Sequence, residues 1–289
     1  MITIQFTDSY ECHSIYHTAQ YYLKTLNKDG QKVMLRWDSQ DCLVIDYNKD
    51  MSFYLTYIQP LLVQVFTQYI IAKYEKNYLF YLLRNHYYYK DDEEIKEIIS
   101  IAKAIMDGEK QDIPKIKKLA DRKKLLEETI KNFLVQPFSF CFDSFVKFRL
   151  KYYRELLESY VELAIDEYKL EHDYQNFIQS LRCFLTHRVP LVETVHVMYE
   201  DQPVFYNETL VELTSDSLHS IVEEHSAALH SVEVDSILLQ PLLALAPKHI
   251  YFYTSHEDLS IIHTMQNIFQ ERLHLASPFD FYKRRLDFY

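Results

Sequence analysis

The chain has 289 residues, of which 48% are hydrophobic and 25% are charged, a globular balance that argues against disorder over most of its length. Its two glycines, Gly30 and Gly108, stand far apart, which excludes both the glycine-rich phosphate loop and the dinucleotide-binding fingerprint. The formal net charge of −11 gives an overall field that disfavours polyanions, although a local basic patch would still bind them.

Four cysteines, Cys12, Cys42, Cys141 and Cys183, are scattered along the chain without a CxxC pair. Each lies beside apolar or aromatic residues, which favours free thiols in a reducing compartment over disulfides or metal ligation. The opening MITIQF is typical of a short strand and not of a secretory signal. We therefore expect a cytoplasmic protein with no metal site and no cofactor.

The first 48 residues predict a small β-α-β-β unit. ITIQF is the first strand, a helix follows with Ser9 as its cap, and VMLRW and CLVIDY form a hairpin. The helix carries His13 and His17 four residues apart, which is the spacing of a metal-binding pair. No third ligand is near them in the sequence, so chance spacing is favoured over a metal site.

The stretch from Met51 to Ala72 has no formal charge and is long enough to span a bilayer. Gln59, Pro60, Gln64 and Gln68 lie close to one line on the predicted helix. A polar stripe of this kind is typical of a half-buried core helix rather than of lipid contact. We therefore expect no integral membrane insertion.

The next stretches predict further helices, one over 90–109 and one over 112–134, the second with Asp112 as cap and Pro114 in its first turn. The second helix begins with the most basic part of the chain, which contains Lys115, Lys117, Lys118, Arg122, Lys123 and Lys124. Aromatic residues are not interleaved there, and two glutamates follow at once. A solvated helix face is therefore favoured, and contact with nucleic acid or with an anionic membrane surface is the alternative.

The stretch FVKFRLKYYRELLESY, residues 145–160, alternates aromatic and basic residues, a pattern that is also found on nucleic-acid-binding surfaces. Its apolar positions recur every three or four residues, at Phe145, Phe148, Tyr152, Leu156, Tyr160 and Leu163. The basic residues can pair with acidic ones one turn away, as Lys151 with Glu155 and Arg154 with Glu158. This pairing would cancel the field that a phosphate needs, so the pattern favours a core helix.

Glu171, His172 and Asp173 form a polar group flanked by aromatic residues. We interpret the group as a junction between two helices. Acid–base catalysis by a hydrolase or transferase is the alternative, and a deep pocket lined by these side chains would support it.

After residue 188 the pattern changes to short strands and helices. VETVHVMY, VFY, HIYFYT and LHLAS predict strands, with helices between them and an aromatic, basic tail. We therefore predict an α+β fold in three parts: an N-terminal α/β unit over 1–48, a mainly helical region over 49–188, and a C-terminal α/β unit over 189–289.

Two blocks of the chain resemble the YtxC-like family of sporulation proteins. FVKFRLKYYRELLESYVELAIDEYKLEHDYQNFIQSLRCFL resembles its central block, and DSILLQPLLALAPKHIYFYTSHEDLSIIHTMQNIF resembles its late block, with an Ala-Pro break before a strand. The resemblance implies a cytoplasmic protein of a spore-forming bacterium. It does not imply any particular activity. Within the family-like block, packing explains the aromatic residues, and Arg149 and Glu171 are the best candidates for buried polar contacts.

The function expected from the sequence is that of a sporulation-associated cytoplasmic protein that acts through contacts with a protein partner, more as a binding protein than as an enzyme. This expectation depends on the resemblance and on the lack of a recognisable catalytic or cofactor motif. One alternative is a nucleic-acid-binding regulator that uses residues 115–124 and the KRR of the tail. The other is a hydrolase or transferase that uses Glu171, His172 and Asp173.

Overall fold

The computed structural model describes residues 1–26, 33–38, 41–47, 50–110, 113, 119–224, 237–256 and 260–287. Contacts between residues divide the chain into two units, Met1–Lys169 and Leu170–Tyr289. Each unit contains one four-stranded mixed sheet, and helices make up most of the rest. The predicted α+β class is confirmed, whereas the predicted boundaries at residues 48 and 188 stay predictions.

The sheet of the first unit consists of β1 (Ile2–Gln5), β2 (Met34–Asp38), β3 (Cys42–Asp46) and β4 (Phe140–Cys141). Its strand order is β2-β3-β1-β4. β3 is antiparallel to both β1 and β2, whereas β4 runs parallel to β1 and forms one edge. The predicted N-terminal strands and hairpin are therefore confirmed, and the sheet also recruits two residues from far along the chain.

Helix α1 (Ser9–Leu26) follows β1, as predicted. It buries Cys12, Ile15, Ala19 and Leu23, which lie three or four residues apart on one face. Its first turn is capped by Asp8, whose Oδ1 accepts a hydrogen bond from the backbone N–H of Tyr10 at 2.8 Å. The expected cap at Ser9 is therefore wrong by one residue, because Ser9 is already the first residue of the helix.

Helix α2 (Met51–His86) has 36 residues and contains three π-helical segments, Tyr54–Ile58, Ile70–Tyr74 and Leu82–His86. By length and composition α2 is apolar enough to cross a membrane, and half of its most apolar window is buried inside the structure. Gln64 and Gln68 are exposed, as expected for a half-buried helix.

Polar side chains attach α2 to its neighbours. The hydroxyl of Tyr54 and the amide of Gln59 both donate to the backbone carbonyl of Leu134, at 2.8 and 2.9 Å. The hydroxyl of Tyr69 donates to the carboxylate of Glu11 at 2.9 Å. These contacts join α2 to α1 and to Leu134, which directly follows the helix Arg122–Phe133. Helix α2 therefore belongs to the core of the first unit.

Helices α3 (Asp92–Met106) and α4 (Arg122–Phe133) follow, and each is capped by an aspartate. Asp121 accepts hydrogen bonds from the backbone N–H groups of Lys123 and Lys124 at 2.9 and 3.0 Å. Residues 119–121 are not helical, so the single helix predicted over 112–134 is wrong. The expected cap Asp112 and first-turn Pro114 lie outside the described residues.

The aromatic and basic stretch forms two helices, α5 (Phe142–Arg149) and α6 (Lys151–Thr186). They are separated at Leu150, which is fully buried and has a non-helical ψ of 22°. α6 belongs to the first unit at its beginning and to the second unit at its end. It continues through residues 171–173, so the helix junction predicted there is wrong.

The break at Leu150 changes which side chains of this stretch are buried. Four of the six predicted core positions are buried, namely Phe145, Leu156, Tyr160 and Leu163. Phe148 and Tyr152 are instead 69% and 74% exposed, because the helical phase restarts after Leu150 and places Tyr153 in the core. The core-helix interpretation is therefore confirmed for most of the stretch and wrong for the two residues that flank the break.

Of the two ion pairs predicted for this stretch, one forms and the other does not. Lys151 and Glu155 approach to 3.7 Å, as predicted. Arg154 instead donates to the carbonyl of Lys147 at 2.9 Å, and Glu158 accepts from the hydroxyl of Tyr78 at 2.8 Å.

The sheet of the second unit consists of β5 (Thr194–Tyr199), β6 (Pro203–Tyr206), β7 (His249–Tyr253) and β8 (Leu273–Ala276). The order is β6-β5-β7-β8, with β5, β7 and β8 parallel and β6 antiparallel to β5. Within the described residues the α-helices of this unit, besides the end of α6, are α7 (Ser215–Glu224), α8 (Leu239–Leu245), α9 (Ser260–Phe269) and α10 (Pro278–Asp287). The four predicted strands are confirmed.

The two faces of this sheet differ in chemistry. One face contributes Val195, Val197, Ile250 and Phe252 to a buried aliphatic and aromatic core. Side chains alternate between faces along a strand, so the next residues along, His196 and Tyr251, belong to the other face. The basic tail forms α10 and packs through Phe281 against rings of this second face.

Candidate functional site

Of the predicted basic cluster, the structure describes Arg122, Lys123 and Lys124. Lys115, Lys117 and Lys118 lie outside the described residues. The side chain of Arg122 is 13% exposed, with Nε 3.6 Å from Glu75 and Nη2 2.7 Å from Asp107. Lys123 and Lys124 are exposed on α4. Because two carboxylates neutralise Arg122, this guanidinium is not available to a phosphate of a nucleic acid.

Glu171, His172 and Asp173 are exposed along α6. Glu171 accepts from the amide of Gln175 at 2.8 Å, and the Nδ1 of His172 pairs with Asn176 at 3.0 Å. Both contacts join residues one turn apart on the same helix. The expected burial of Glu171 is therefore wrong, and the geometry of this group gives no support to acid–base catalysis.

A buried charged group that the sequence did not reveal joins α2, α4 and α6. Glu75 is 4% exposed, and it accepts a hydrogen bond from the hydroxyl of Tyr153 in addition to its ion pair with Arg122. Burial raises the pKa of Glu75, against the lowering effect of Tyr153 and Arg122. Burial also raises the pKa of Tyr153, and the adjacent carboxylate raises it further.

Glu75 and Tyr153 are buried, so we assign this group to the framework of the first unit rather than to a reaction. Sequence reasoning missed it because Tyr153 was one aromatic residue among many. A signal was present in Glu75, which is the first carboxylate after the uncharged stretch that forms the buried helix.

His13 and His17 of α1 pair with each other. Their Nε2 atoms are 2.6 Å apart, and the rings are stacked with centroids 4.2 Å apart. The ring of Trp37 lies 4.8 Å from that of His13. Among the described residues no three histidine, cysteine, aspartate or glutamate side chains are grouped so as to hold a metal ion.

The surface of the first unit carries a cavity of about 390 Å³ between the end of α4, β4 and α5. We call it the aromatic pocket, and its defining residues are Phe133, Phe138, Phe140, Phe145, Phe148 and Arg149. Phe133 lies at its centre, with ring centroids of Phe138, Phe140 and Phe145 at 5.0, 5.0 and 4.7 Å. The contacts with Phe138 and Phe140 are edge-to-face, which is a favoured aromatic geometry.

The aromatic pocket is bordered by the exposed ring of Phe148 and by Arg149, and Lys147 lies next to the ring of Phe148. The guanidinium of Arg149 lies 5.8 Å from the ring centroid of Phe133, and the ammonium of Lys147 lies 5.7 Å from that of Phe148. Arg149 is exposed, so its expected burial is wrong. The charge of Arg149 stays in water while its planar group approaches the ring, an arrangement that avoids the cost of burying a cation.

A match to a known protein family covers parts of both units. The model of a family described as the YtxC-like family matches residues 60–274, which include the aromatic pocket. The chain is similar to "Uncharacterized protein YtxC" of Bacillus subtilis (strain 168), with 27% identity over 275 residues, 95% of this chain and 94% of the relative. No solved structure is significantly similar to the chain.

Proposed function

The chain belongs to the YtxC-like family, and from this premise we propose that it is a sporulation-associated cytoplasmic protein that acts by binding a protein partner rather than by catalysis. The family itself is uncharacterised, so the proposal depends on the resemblance to sporulation proteins and on the chemistry of the surface. The aromatic pocket is the observation that carries the binding part of the proposal.

The aromatic pocket has the composition of a protein-binding hot spot. Aromatic residues and arginine are enriched at the centres of protein interfaces, where a few side chains supply most of the binding free energy. Phe148 is largely exposed although it borders a cavity lined by other rings. A partner that inserts one apolar side chain would remove these rings from water, and a neighbouring carboxylate of the partner would pair with Arg149 or Lys147.

Two features support the cytoplasmic part of the proposal. Cys12, Cys42, Cys141 and Cys183 are all free thiols, which suits a reducing compartment. The polar contacts of α2 with Glu11 and Leu134 support its role as a core helix, so we expect the tagged protein in the soluble fraction of lysed cells. Recovery of the protein in the membrane pellet after washing with high salt would contradict this expectation.

The partner is identified by crosslinked affinity capture of the tagged protein from cells that enter sporulation. We expect one protein to be enriched in proportion to the bait and to be lost with Phe148→Asp. Tyr152→Asp is the matched control, because Tyr152 is equally exposed but does not line the aromatic pocket. Equal recovery with both variants, recovery of nucleic acid, or recovery of the bait alone would overturn the proposal.

A further inference from the structure

A groove of about 760 Å³ lies between α1, α2 and α4 of the first unit. We call it the α2 groove and define it by Tyr22 of α1, Val63, Thr67 and Ile71 of α2, and Lys123 and Lys131 of α4. It does not include the residues of the aromatic pocket. Its volume lies within the range of about 300–1,000 Å³ that is usual for small-molecule sites.

The floor of the α2 groove is one face of α2. Pro60, Val63, Ile71 and Ala72 supply its apolar part, at intervals that return to the same side of the helix. Gln68 lies on the same side and accepts a hydrogen bond from the hydroxyl of Tyr22 at 3.0 Å. The floor therefore suits a ligand with an apolar body.

Thr67 leaves a buried polar atom beside this floor without a partner. Its side chain is 3% exposed, and its Oγ1 makes no hydrogen bond within the described part of the chain. Threonines in helices usually donate to the carbonyl four residues earlier, and this is what Thr18, Thr56 and Thr129 do here. A buried hydroxyl without a partner is destabilising. The Thr67 Oγ1 is closed from solvent, so the side chain must rotate about χ1 toward the groove that it lines before an oxygen of a ligand can accept its hydrogen bond.

The α4 side of the groove is cationic, although the whole chain has a net charge of −11. Lys123 and Lys131 line it, and neither makes an ion pair with a described residue. Glu127 lies between them and is the one carboxylate among the described lining residues. Arg122 also borders the groove but is already paired with carboxylates, so two lysines against one glutamate leave an excess of one positive charge.

We propose that the α2 groove binds a small amphipathic organic anion, a carboxylate on an apolar chain. The apolar chain of the ligand lies on Val63 and Ile71. The Thr67 hydroxyl rotates into the groove and donates to one carboxylate oxygen, and the lysines of α4 supply the compensating charge. This site is separate from the aromatic pocket and does not depend on the proposed protein partner.

Isothermal titration calorimetry of the full chain with three probes tests the class of ligand. Decanoate carries both features, decylammonium carries the same chain with the opposite charge, and acetate carries the charge without the chain. We expect decanoate to bind and the other two to bind at least about tenfold more weakly, since each lacks one part of the match. Equal binding of decanoate and decylammonium, or of decanoate and acetate, would overturn the proposal.

Four substitutions test the position of the ligand. Thr67→Val is expected to weaken decanoate binding by about tenfold, because it removes a hydrogen bond to a charged group. In the absence of decanoate it should leave thermal stability unchanged or higher, since it removes a buried hydroxyl without a partner. Lys123→Gln should weaken binding and Glu127→Gln should strengthen it, each by about two- to fivefold. Lys124→Gln, on the same helix but outside the groove, should change nothing.

The pattern across these variants distinguishes a groove from a charged surface. If vesicles of phosphatidylglycerol sediment with the protein and Lys124→Gln weakens this as much as Lys123→Gln does, the anion site is a membrane surface and the proposal is wrong. Unchanged decanoate binding in Thr67→Val would also overturn it. Because none of the four side chains lines the aromatic pocket, neither result affects the proposed protein partner.

Discussion

The hydroxyl of Tyr153 on α6 donates a hydrogen bond to the carboxylate of Glu75 on α2, although the two residues are 78 positions apart in the chain. Arg122 at the start of α4 pairs with the same carboxylate. A buried ion pair is costly to desolvate and becomes favourable only when further hydrogen bonds satisfy it, as Tyr153 and Asp107 do here. The group therefore fixes the relative position of three helices of the first unit.

Replacing Tyr153 by Phe tests this role. The ring remains while the buried carboxylate loses its donor, so we expect the free energy of unfolding of the first unit to fall by about 1–3 kcal/mol. Urea denaturation followed by the fluorescence of Trp37 measures this, since the chain has a single tryptophan and it lies in the first unit. Tyr152→Phe is the control, because Tyr152 is exposed. Equal effects of the two substitutions would show that the hydroxyl of Tyr153 has no special role.

The stability of the second unit should depend on pH through His196. This ring is buried, its Nδ1 lies 2.9 Å from the hydroxyl of Tyr253, and it stacks on Tyr251 with centroids 5.1 Å apart. Burial, with a smaller contribution from Arg284, lowers the pKa of His196 from 6.5 to about 4.

The direction of the pH effect follows from this lowered pKa. Between pH 6.5 and about 4 the unfolded chain binds a proton at His196 that the folded chain does not. The contribution of the neutral His196 ring to the free energy of unfolding is therefore fully present above pH 6.5 and is lost as the pH falls toward 4. His196→Phe should unfold with a shallower pH dependence in this window, as followed by thermal denaturation. Parallel curves for the two proteins would show that His196 does not titrate differently on unfolding.

Helix α10 should be held to the second unit chiefly by Phe281. This ring is buried, with centroids 4.8 Å from that of Tyr206 and 5.2 Å from that of Tyr253. Phe281→Ala is expected to cost about 3–5 kcal/mol and to make α10 sensitive to limited proteolysis. Phe279→Ala, which removes an exposed ring of the same helix, should leave the cleavage rate unchanged. Resistance of both variants would mean that other contacts hold α10.

The contacts of α10 also bear on the suggestion that its basic residues bind nucleic acid. The guanidinium of Arg284 lies 4.2 Å from the ring centroid of Tyr251, so this residue is already engaged within the unit. Arg285 and Lys283 are exposed. Because Arg284 already contacts Tyr251, the three basic residues of the tail are less well placed to bind phosphates of a nucleic acid together.

Helix and strand positions were predictable where the hydrophobic period was uninterrupted. Apart from β4, the strands of both sheets and the buried face of α1 follow directly from alternation or from spacing of three to four residues. Periodicity failed at Leu150, because Phe148 and Tyr152 continue the apolar spacing in the sequence although the backbone leaves the helix between them. It failed again at Asp121, whose role as a cap is indistinguishable in sequence from that of a charged residue inside a helix.

The candidate sites were less predictable because they combine distant segments. Phe138 and Phe140 lie in a segment without helical period, and the sequence gives no sign that they pack beside Phe133 at the end of α4. Arg149 was expected to make a buried polar contact, and it is exposed at the aromatic pocket instead. Thr67 could not be distinguished from other helical threonines, since its missing hydrogen bond is a property of the fold.

The most direct test of partner binding through the aromatic pocket is site-specific photocrosslinking in cells that enter sporulation. A photoreactive phenylalanine analogue replaces Phe148 in one protein and Tyr152 in another, and crosslinked products are identified by mass spectrometry. We expect a crosslink from position 148 to a single protein species and none to that species from position 152. A crosslink to the same species from both positions, or only to nucleic acid from position 148, would contradict partner binding through the aromatic pocket.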